Sequence, residues 1–250
     1  MVDTHCHLFL SDYPDIEDIV KKMDNNIIVI SGVDDDSNRE VIKLCSLYDN
    51  VYGCLGIHPE NACSKYNLKY IEEHINDEKI IGVGEIGLDY YYTNDNKKGQ
   101  IDLFCKQIKI AKKYNKPIVV HSRDAISDTY EIIKKYNCGC KTDIHCYSSS
   151  LEMAYKFVEL GCKLGIGGVV TFKNSAKLKE VVRNIDLEHL LLETDSPYLS
   201  PVPFRGERNQ PYNIIYVAKE IGLLKNIDYR EVLKTTSKNS CDFFGFDFKV

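Results

Sequence analysis

The sequence predicts an α/β protein of the (β/α)₈, or TIM-barrel, class, folded as a single domain over residues 1–250. Apolar, strand-like runs alternate with stretches of helical periodicity along the whole chain. A length of 250 residues is usual for one such barrel. Histidines and carboxylates follow several of the apolar runs, which is where a barrel carries its active site. No low-complexity linker, charge block or internal repeat divides the chain, so one domain is favoured over two.

Eight apolar runs have the length and composition of buried strands. In chain order they span residues 2–8, 27–32, 51–57, 80–86, 117–121, 142–146, 162–166 and 190–195. The stretches between them carry apolar residues at helical spacing. One such set is Ile16, Ile19, Val20 and Met23. Most of the runs are apolar on both faces, so the alternation predicts parallel strands that are covered by helices and joined by right-handed crossovers.

Six metal-capable side chains each lie where an apolar run ends and a loop begins. They are His5, His7, Glu85, His121, His145 and Asp195. In a barrel of parallel strands these ends form the active-site face, where four imidazoles and two carboxylates would hold one or two divalent cations. A doubly wound open sheet is the alternative topology, but it would not gather side chains from the first, fourth, fifth, sixth and eighth strands around one centre. The set therefore favours a barrel and predicts a metal-dependent hydrolase.

The composition restricts the partners and the compartment that we expect. The net charge of −5 gives no global attraction to nucleic acid, so any polyanion must be held locally. No apolar run is long enough to span a bilayer, and no sequence resembling a signal peptide precedes the first strand. The ten cysteines are scattered, which favours reduced thiols over a disulfide framework. We therefore expect a cytoplasmic enzyme with no membrane partner.

The pattern His5-x-His7 begins the candidate site. Residues two apart on a strand point to the same side, so both imidazoles can face the barrel axis and share one ion. The alternative is a pair of partly exposed histidines near a chain terminus. Val2, Cys6 and Leu8 mark a buried strand, and a buried imidazole needs a partner, so the ligand hypothesis is favoured.

Glu85 lies in an apolar run, where an ionised carboxylate requires a cation, a metal or a hydrogen-bond partner. Its two oxygens could bridge two ions, or loop amides could satisfy them. Either His121 or His145 alone would more often be a hydrogen-bonded core histidine than a ligand. Together, on neighbouring strands beside Glu85, they are predicted to bind a second ion. The sequence thus favours a binuclear site in which both ions share Glu85.

Asp195 completes the set in the segment Asp-Ser-Pro. At the end of the eighth strand it would face the ion of His5 and His7 and could take the proton from a metal-bound water. The alternative is a cap or turn residue, since Asp-Ser-Pro is a turn-like sequence. Nearby Glu193 is expected to have a supporting or structural role rather than to ligate the ion.

The side chains that would bind a substrate are less strongly specified. His58 ends the third strand and could contact a scissile phosphate or position the leaving oxygen, and a capping or buried histidine is the alternative. Arg205 and Arg208 lie in a loop after the eighth strand, where guanidinium groups could bind phosphate oxygens. For Arg208, pairing with an acidic side chain is the alternative. The run Tyr90-Tyr-Tyr could stack a terminal base or pack against helices.

Several of these segments occur together in one known family. The chain carries, in order, Thr4-His-Cys-His, Gly56-Ile-His-Pro, Gly84-Glu-Ile-Gly-Leu-Asp-Tyr-Tyr, His121-Ser-Arg, Glu193-Thr-Asp-Ser-Pro-Tyr-Leu and Phe204-Arg-Gly-x-Arg-Asn. The combination resembles the TatD family of metal-dependent deoxyribonucleases, from the first strand to about Pro211. Many amidohydrolases with His-x-His bridge their metals through a carboxylated lysine on the fourth strand. Glu85 occupies that position here, so the bridge needs no modification.

The resemblance implies two divalent cations per chain and phosphodiester hydrolysis by a metal-activated water, as a 3′→5′ exonuclease on single-stranded or frayed 3′ ends of DNA. Asp195, Glu85 and His58 would be catalytic, and His58 and Arg205 would bind the substrate. A D-aminoacyl-tRNA deacylase and a small-molecule phosphoesterase are alternatives on the same metal site. Imidazole-rich ligation favours zinc, manganese or iron, whereas the resemblance implies magnesium, which prefers oxygen ligands. No protein partner is indicated.

Overall fold

The computed structural model describes residues 1–92, 94–136 and 139–247. Over these residues strands and helices alternate along the chain, as the sequence predicts. The strands are β1 (Val2–Cys6), β2 (Ile27–Ser31), β3 (Val51–Leu55), β4 (Ile80–Asp89), β5 (Ile118–Arg123), β6 (Thr142–Ile144), β7 (Lys163–Ile166) and β8 (Leu190–Leu192). The α-helices are α1 (Ile16–Lys22), α2 (Asp35–Leu47), α3 (Leu68–His74), α4 (Lys97–Tyr114), α5 (Ile126–Tyr136), α6 (Leu151–Glu159), α7 (Ala176–Asn184), α8 (Ile214–Lys225) and α9 (Tyr229–Phe244). The described ranges contain no helix with the length and hydropathy that a membrane span requires.

The chain forms two compact units, the first made of Met1–Ile30 with Cys146–Val250 and the second of Ser31–His145. In the first unit, β1 pairs in parallel with β2, and β7 pairs in parallel with β8. The Thr4 hydroxyl donates to Leu192 O at 2.9 Å, which joins β1 to β8. Helix α9 packs on α8 and covers β8 and β1. All residues of β1 and β8 are buried, so the core of this unit lies around these strands and under their helices.

In the second unit, β3 to β6 form a parallel sheet in chain order. Helix α4 packs on β4. Two buried amide side chains of this helix form hydrogen bonds with backbone groups at or just beyond the ends of strands. Gln107 accepts from Ile57 N at 2.8 Å and donates to Ile57 O at 2.9 Å. Gln100 makes the same pair of bonds with Asp89, each 2.8 Å long. These bonds satisfy buried backbone groups and fix the segments that carry candidate site residues.

The observed strand bounds correct the predicted position of one ligand. Strand β4 extends to Asp89, which pairs with Arg123 of β5, so Glu85 lies in the middle of a strand rather than at its end. Strand β8 is shorter than predicted and ends at Leu192. Asp195 has a φ of 55°, a left-handed conformation that a strand cannot include.

A glycine allows β4 and β5 to approach each other beside the candidate ligands. Gly87 lies opposite His121 in the register of the two strands and has a φ of 141°. A Cβ atom at this position would collide with the carbonyl oxygen of His121. Glu85 and Asp89 lie two residues before and two residues after Gly87, so strand alternation puts both carboxylates on one face.

Candidate metal centre

Three predicted ligands come together in the first unit. They are His5, His7 and Asp195, and we call them the first ligand group. His5 lies on β1, and His7 follows the strand directly. Asp195 lies in the segment after β8. Backbone hydrogen bonds join the two segments, because Asp195 N donates to His5 O at 3.0 Å and His7 N donates to Ser196 O at 2.7 Å. The ends of β1 and β8 thus hold three ligand-type side chains at one place.

The ligand atoms of this group form a nearly equilateral triangle. His5 Nε2 and His7 Nε2 are 3.2 Å apart. Asp195 Oδ1 lies 3.7 Å from His5 Nε2 and 3.6 Å from His7 Nε2. The circumradius of a triangle with these three sides is about 2.0 Å, which matches the length of a Zn–N or Zn–O bond. Two imidazoles and a carboxylate are also ligands that divalent transition metals accept, so the residues present fit a bound cation.

The segment after β8 combines a turn with the candidate ligand. Asp195 O accepts from Tyr198 N at 2.9 Å, and the backbone of Asp195 is left-handed. The turn that the sequence suggested as an alternative therefore describes the backbone of Asp195, while its side chain faces two histidines. Glu193 is fully buried, and its Oε1 accepts from Cys146 N at 2.6 Å, which is a supporting contact to the backbone.

A buried carboxylate that the sequence analysis did not single out lies on the same strand. Asp3 accepts from Thr194 N at 2.9 Å and from the Thr194 hydroxyl at 2.6 Å. Burial raises the pKa of the Asp3 carboxyl, and the hydrogen bonds from Thr194 act in the opposite direction. Asp3 shares the strand parity of His5 and His7, and this alternation is the sequence feature that could have identified it.

The second unit gathers three imidazoles around one carboxylate oxygen. The second ligand group is His58, Glu85, His121 and His145. Glu85 Oε1 lies 2.8 Å from His121 Nδ1 and 3.4 Å from His145 Nε2. His58 Nε2 is 3.7 Å from the same oxygen. One ligand atom each from His58, Glu85 and His121 lies within 4.8 Å of the others, so this group also fits a divalent cation.

His121 is held between two carboxylates, of which the sequence predicted only one. Its Nδ1 faces Glu85, and its Nε2 lies 3.0 Å from Asp89 Oδ2. Burial opposes protonation of His121, but the hydrogen bonds to Asp89 and Glu85 outweigh it and raise the pKa of His121 to about 9. A carboxylate at this place can orient the imidazole of His121 through the nitrogen that does not face Glu85. The shared parity of Glu85 and Asp89 on β4 was available in the sequence as an indication.

His58 takes the capping role that its sequence position suggested as an alternative, and its ring also faces Glu85. It caps the short 3₁₀ helix Pro59–Cys63, since its Nδ1 accepts from Glu60 N at 3.3 Å. Its Nε2 faces Glu85, and its ring contacts the His121 ring edge to face, with centroids 4.5 Å apart. The cap holds the ring with Nε2 directed toward Glu85.

The two arginines considered for substrate binding belong to neither ligand group. The exposed guanidinium of Arg205 stacks on the Phe172 ring, 3.7 Å from its centroid. Arg208 pairs with Asp15, and its Nη2 lies 2.8 and 2.9 Å from the two carboxylate oxygens. Arg205 is therefore better suited than Arg208 to bind a phosphate.

The three consecutive tyrosines differ in burial. Tyr90 is buried, and its hydroxyl donates to Asp128 Oδ2 at 2.8 Å. Tyr91 and Tyr92 are exposed. A stacking role in this segment therefore falls to Tyr91 and Tyr92, and Tyr90 follows the packing alternative.

The fold and the two ligand groups define the class of the protein as a metal-dependent hydrolase. A sequence profile described as TatD related DNase matches residues 2–245, and the chain belongs to the TatD family. It is 38% identical to the uncharacterized metal-dependent hydrolase BU355 of Buchnera aphidicola, over 98% of this chain and 99% of the relative. It is 37% identical to the uncharacterized metal-dependent hydrolase YabD of Bacillus subtilis, over 98% of each protein.

A solved structure of another family member shows the fold. The crystal structure of YJJV, a TatD homologue from Escherichia coli, matches with a TM-score of 0.91 at 27% identity, over 99% of this chain and 98% of that chain. Over the described residues the strands follow one another in the order β1 to β8. The (β/α)₈ barrel predicted from the sequence is therefore confirmed.

Proposed function

We propose that the chain is a divalent-metal-dependent deoxyribonuclease that hydrolyses phosphodiester bonds from the 3′ ends of DNA, with residues 1–250 acting as one catalytic domain. Membership of a family described as TatD related DNase supports the choice of substrate. The observation that carries the hydrolytic chemistry is the triangle of His5 Nε2, His7 Nε2 and Asp195 Oδ1, whose size suits a divalent cation.

The proposed site holds two cations. His5, His7 and Asp195 would hold one, His121 and His145 would hold the other, and Glu85 would contribute to both. The proposal that both cations share Glu85 rests on the barrel fold, in which the carboxyl ends of the strands share one face. The imidazole-rich donor set favours zinc or manganese, and magnesium is the alternative because it prefers oxygen ligands.

When bound, divalent cations supply Lewis acidity toward phosphoryl oxygens and a nucleophile at neutral pH. Asp195 would accept the proton of the attacking water at a carboxylate oxygen. Nε2 of His58 would hold a phosphate oxygen or position the leaving oxygen, with the ring fixed by the hydrogen bond from Glu60 N to Nδ1. Asp89 would orient the ring of His121, and Arg205 would bind a flanking phosphate.

The proposed substrate is a single-stranded or frayed 3′ end rather than a long duplex. A chain with a net charge of −5 lacks the overall charge for tracking along a polyanion, so contacts must be local. A cytoplasmic location belongs to the same proposal. The scattered arrangement of the cysteines in the sequence is typical of proteins of a reducing compartment.

A substrate panel tests the proposal. Labelled single-stranded DNA, duplex DNA, covalently closed circular DNA, D-aminoacyl-tRNA and a simple phosphomonoester are compared, each with chelator and with added Mg²⁺, Mn²⁺ or Zn²⁺. We expect cation-dependent shortening of linear strands from the 3′ end, faster than nicking of circles. Turnover of D-aminoacyl-tRNA or of the phosphomonoester alone would contradict the nuclease and favour a deacylase or a small-molecule phosphoesterase.

A further inference from the structure

Three exposed side chains of the second unit form one stacked cluster. The guanidinium carbon of Arg123 lies 4.0 Å from the ring centroid of Tyr91 and 4.7 Å from that of Tyr92. The two rings meet edge to face with centroids 4.8 Å apart. Tyr91 and Tyr92 are 59% and 62% exposed, so much of both rings is open to solvent. Tyr91, Tyr92 and Arg123 are named here the tyrosine–arginine platform.

One carboxylate joins this platform to the second ligand group. Asp89 Oδ1 accepts from Tyr91 N at 2.9 Å and from Tyr92 N at 3.0 Å. The other oxygen of Asp89 lies 3.0 Å from His121 Nε2. Because the same carboxylate contacts the backbone of both tyrosines and the imidazole, the platform has a fixed position relative to a candidate metal ligand.

Strand geometry places Arg123 on the side of the sheet that carries this ligand. Arg123 and His121 are two residues apart on β5, so their side chains leave the same face. Two residues of strand advance by about 6.6 Å. A stacked nucleic-acid strand advances by about 3.4 Å per nucleotide, so the offset corresponds to about two nucleotides. The backbone of Arg123 is therefore one or two nucleotide steps from that of His121.

We propose that the tyrosine–arginine platform binds a nucleobase and its flanking phosphate in the nucleic-acid strand that is being hydrolysed. The inference rests on the proposed function and adds a subsite to it. Every base has a stacking face, so aromatic rings at this place would hold a strand without reading its sequence. Arg123 supplies local positive charge, which a chain of net charge −5 needs for a polyanion. The fixed backbone of the tyrosines lowers the entropy that binding must remove.

Kinetics with intact and base-free DNA test the platform. One substrate is a labelled single strand, and the other is the same strand with abasic residues at its 3′ end. For the Tyr91→Ala/Tyr92→Ala double variant we expect KM for the intact strand to rise by about tenfold or more, with a smaller change in kcat. KM for the abasic strand should change little, because it has no base to stack. Arg123→Ala should raise KM for both strands.

Two further variants separate stacking from a general structural effect. Tyr91→Phe/Tyr92→Phe keeps both rings and should keep the wild-type preference for the intact strand. Tyr155→Ala removes a tyrosine that is 45% exposed on α6 and should leave both KM values unchanged. Circular dichroism of each variant checks folding, and single alanine variants replace the double variant if it does not fold.

The outcomes distinguish the subsite from the proposed function. If the wild type shortens DNA and the alanine variants keep its preference for intact strands, the platform is overturned and the nuclease stands. If the wild type hydrolyses no DNA, the nuclease fails, and fluorescence anisotropy of labelled strands with chelator-treated protein tests the platform alone. Weaker binding by the double alanine variant than by the phenylalanine variant would then support it, and equal binding would overturn it.

Discussion

The two ligand groups differ in how the charge of their carboxylate is compensated. In the first group, Asp195 Oδ1 lies 3.6 to 3.7 Å from the nitrogens of His5 and His7, beyond hydrogen-bond length. In the second group, Glu85 lies 2.8 Å from His121, and the other nitrogen of this imidazole lies 3.0 Å from Asp89. The first group has the spacing of donors around a cation, whereas the second contains a hydrogen-bonded carboxylate–imidazole–carboxylate chain.

The comparison shows that ligand-type side chains can be arranged in two ways, which differ in the contacts that the side chains make with one another. In the first group the two imidazole nitrogens are 3.2 Å apart and can share a hydrogen bond, whereas the carboxylate oxygen lies 3.6 to 3.7 Å from both, a spacing that suits a cation. The second group is held together by charge-assisted hydrogen bonds between His121 and two carboxylates. Substitutions in the second group should therefore disturb the arrangement of neighbouring ligands, and substitutions in the first should act mainly on the cation and on chemistry.

The largest effect is expected for Glu85→Ala, which removes the carboxylate that faces three imidazoles. We expect metal content to fall and hydrolysis to decrease by several orders of magnitude, about the loss expected when metal activation is abolished. Metal analysis of the purified variant, together with its rate, is the measurement. Glu131→Ala, on the exposed face of α5, is the matched control. Wild-type metal content and rate in Glu85→Ala would contradict the assignment.

The next largest effect is expected for Asp195→Asn, which distinguishes metal ligation by Asp195 from proton transfer to it. Asp195→Asn keeps an oxygen toward His5 and His7 but cannot accept a proton at neutral pH. We expect kcat to fall by about 100-fold or more while KM changes less, because the lost interaction belongs to the transition state. Metal content measured alongside should remain substantial. A variant with near-normal kcat would leave Asp195 as a turn residue and would require another base.

A smaller effect is expected for Asp89→Asn, which tests the hydrogen-bonded chain of the second group. Loss of the carboxylate that orients a ligating imidazole should weaken metal binding by about 10- to 100-fold. Competition with a chelator of known affinity measures this change. Asp128→Asn is the control, since Asp128 also accepts a side-chain hydrogen bond, but from Tyr90, which is not part of the Glu85–His121–Asp89 arrangement. Equal metal affinity in the two variants would show that Asp89 does not position His121.

The smallest effect concerns phosphate binding in the first unit. Arg205→Ala should raise KM and reduce the slope of log K against log salt by about one, the value for a single phosphate contact. Arg208→Ala provides the comparison because Asp15 already pairs with its guanidinium. Binding of labelled single strands over a salt series measures both slopes. Identical slopes for the two variants would remove Arg205 from the proposed contacts.

Strand periodicity was sufficient to predict the parts of the site that depend on one strand. Alternation gave His5 and His7 on one face, and the same rule applied to Asp3 would have added a buried carboxylate to that strand. The apolar runs predicted the alternation of strands and helices and hence the barrel. They could not fix the ends of β4 and β8, because these depend on pairing at Asp89 and on the left-handed conformation of Asp195.

The remaining features depend on contacts between distant parts of the chain. Asp89 acquires its role only because Gly87 lets β4 approach β5 at His121. Arg208 pairs with Asp15 across 193 positions of sequence, so periodicity within either segment gives no indication of the pair. The stacking of Arg123 on two tyrosines likewise joins the end of β5 to the segment after β4.

Anomalous diffraction from crystals soaked with Zn²⁺ tests the central claim most directly, namely that the first ligand group is spaced for a cation. The expected result is a peak at about 2.0 to 2.2 Å from His5 Nε2, His7 Nε2 and Asp195 Oδ1. A second peak is expected beside Glu85 and His121, with the imidazole turned from hydrogen bonding to ligation. Crystals of a zinc-activated enzyme with no peak among the three atoms of the first group would contradict the claim.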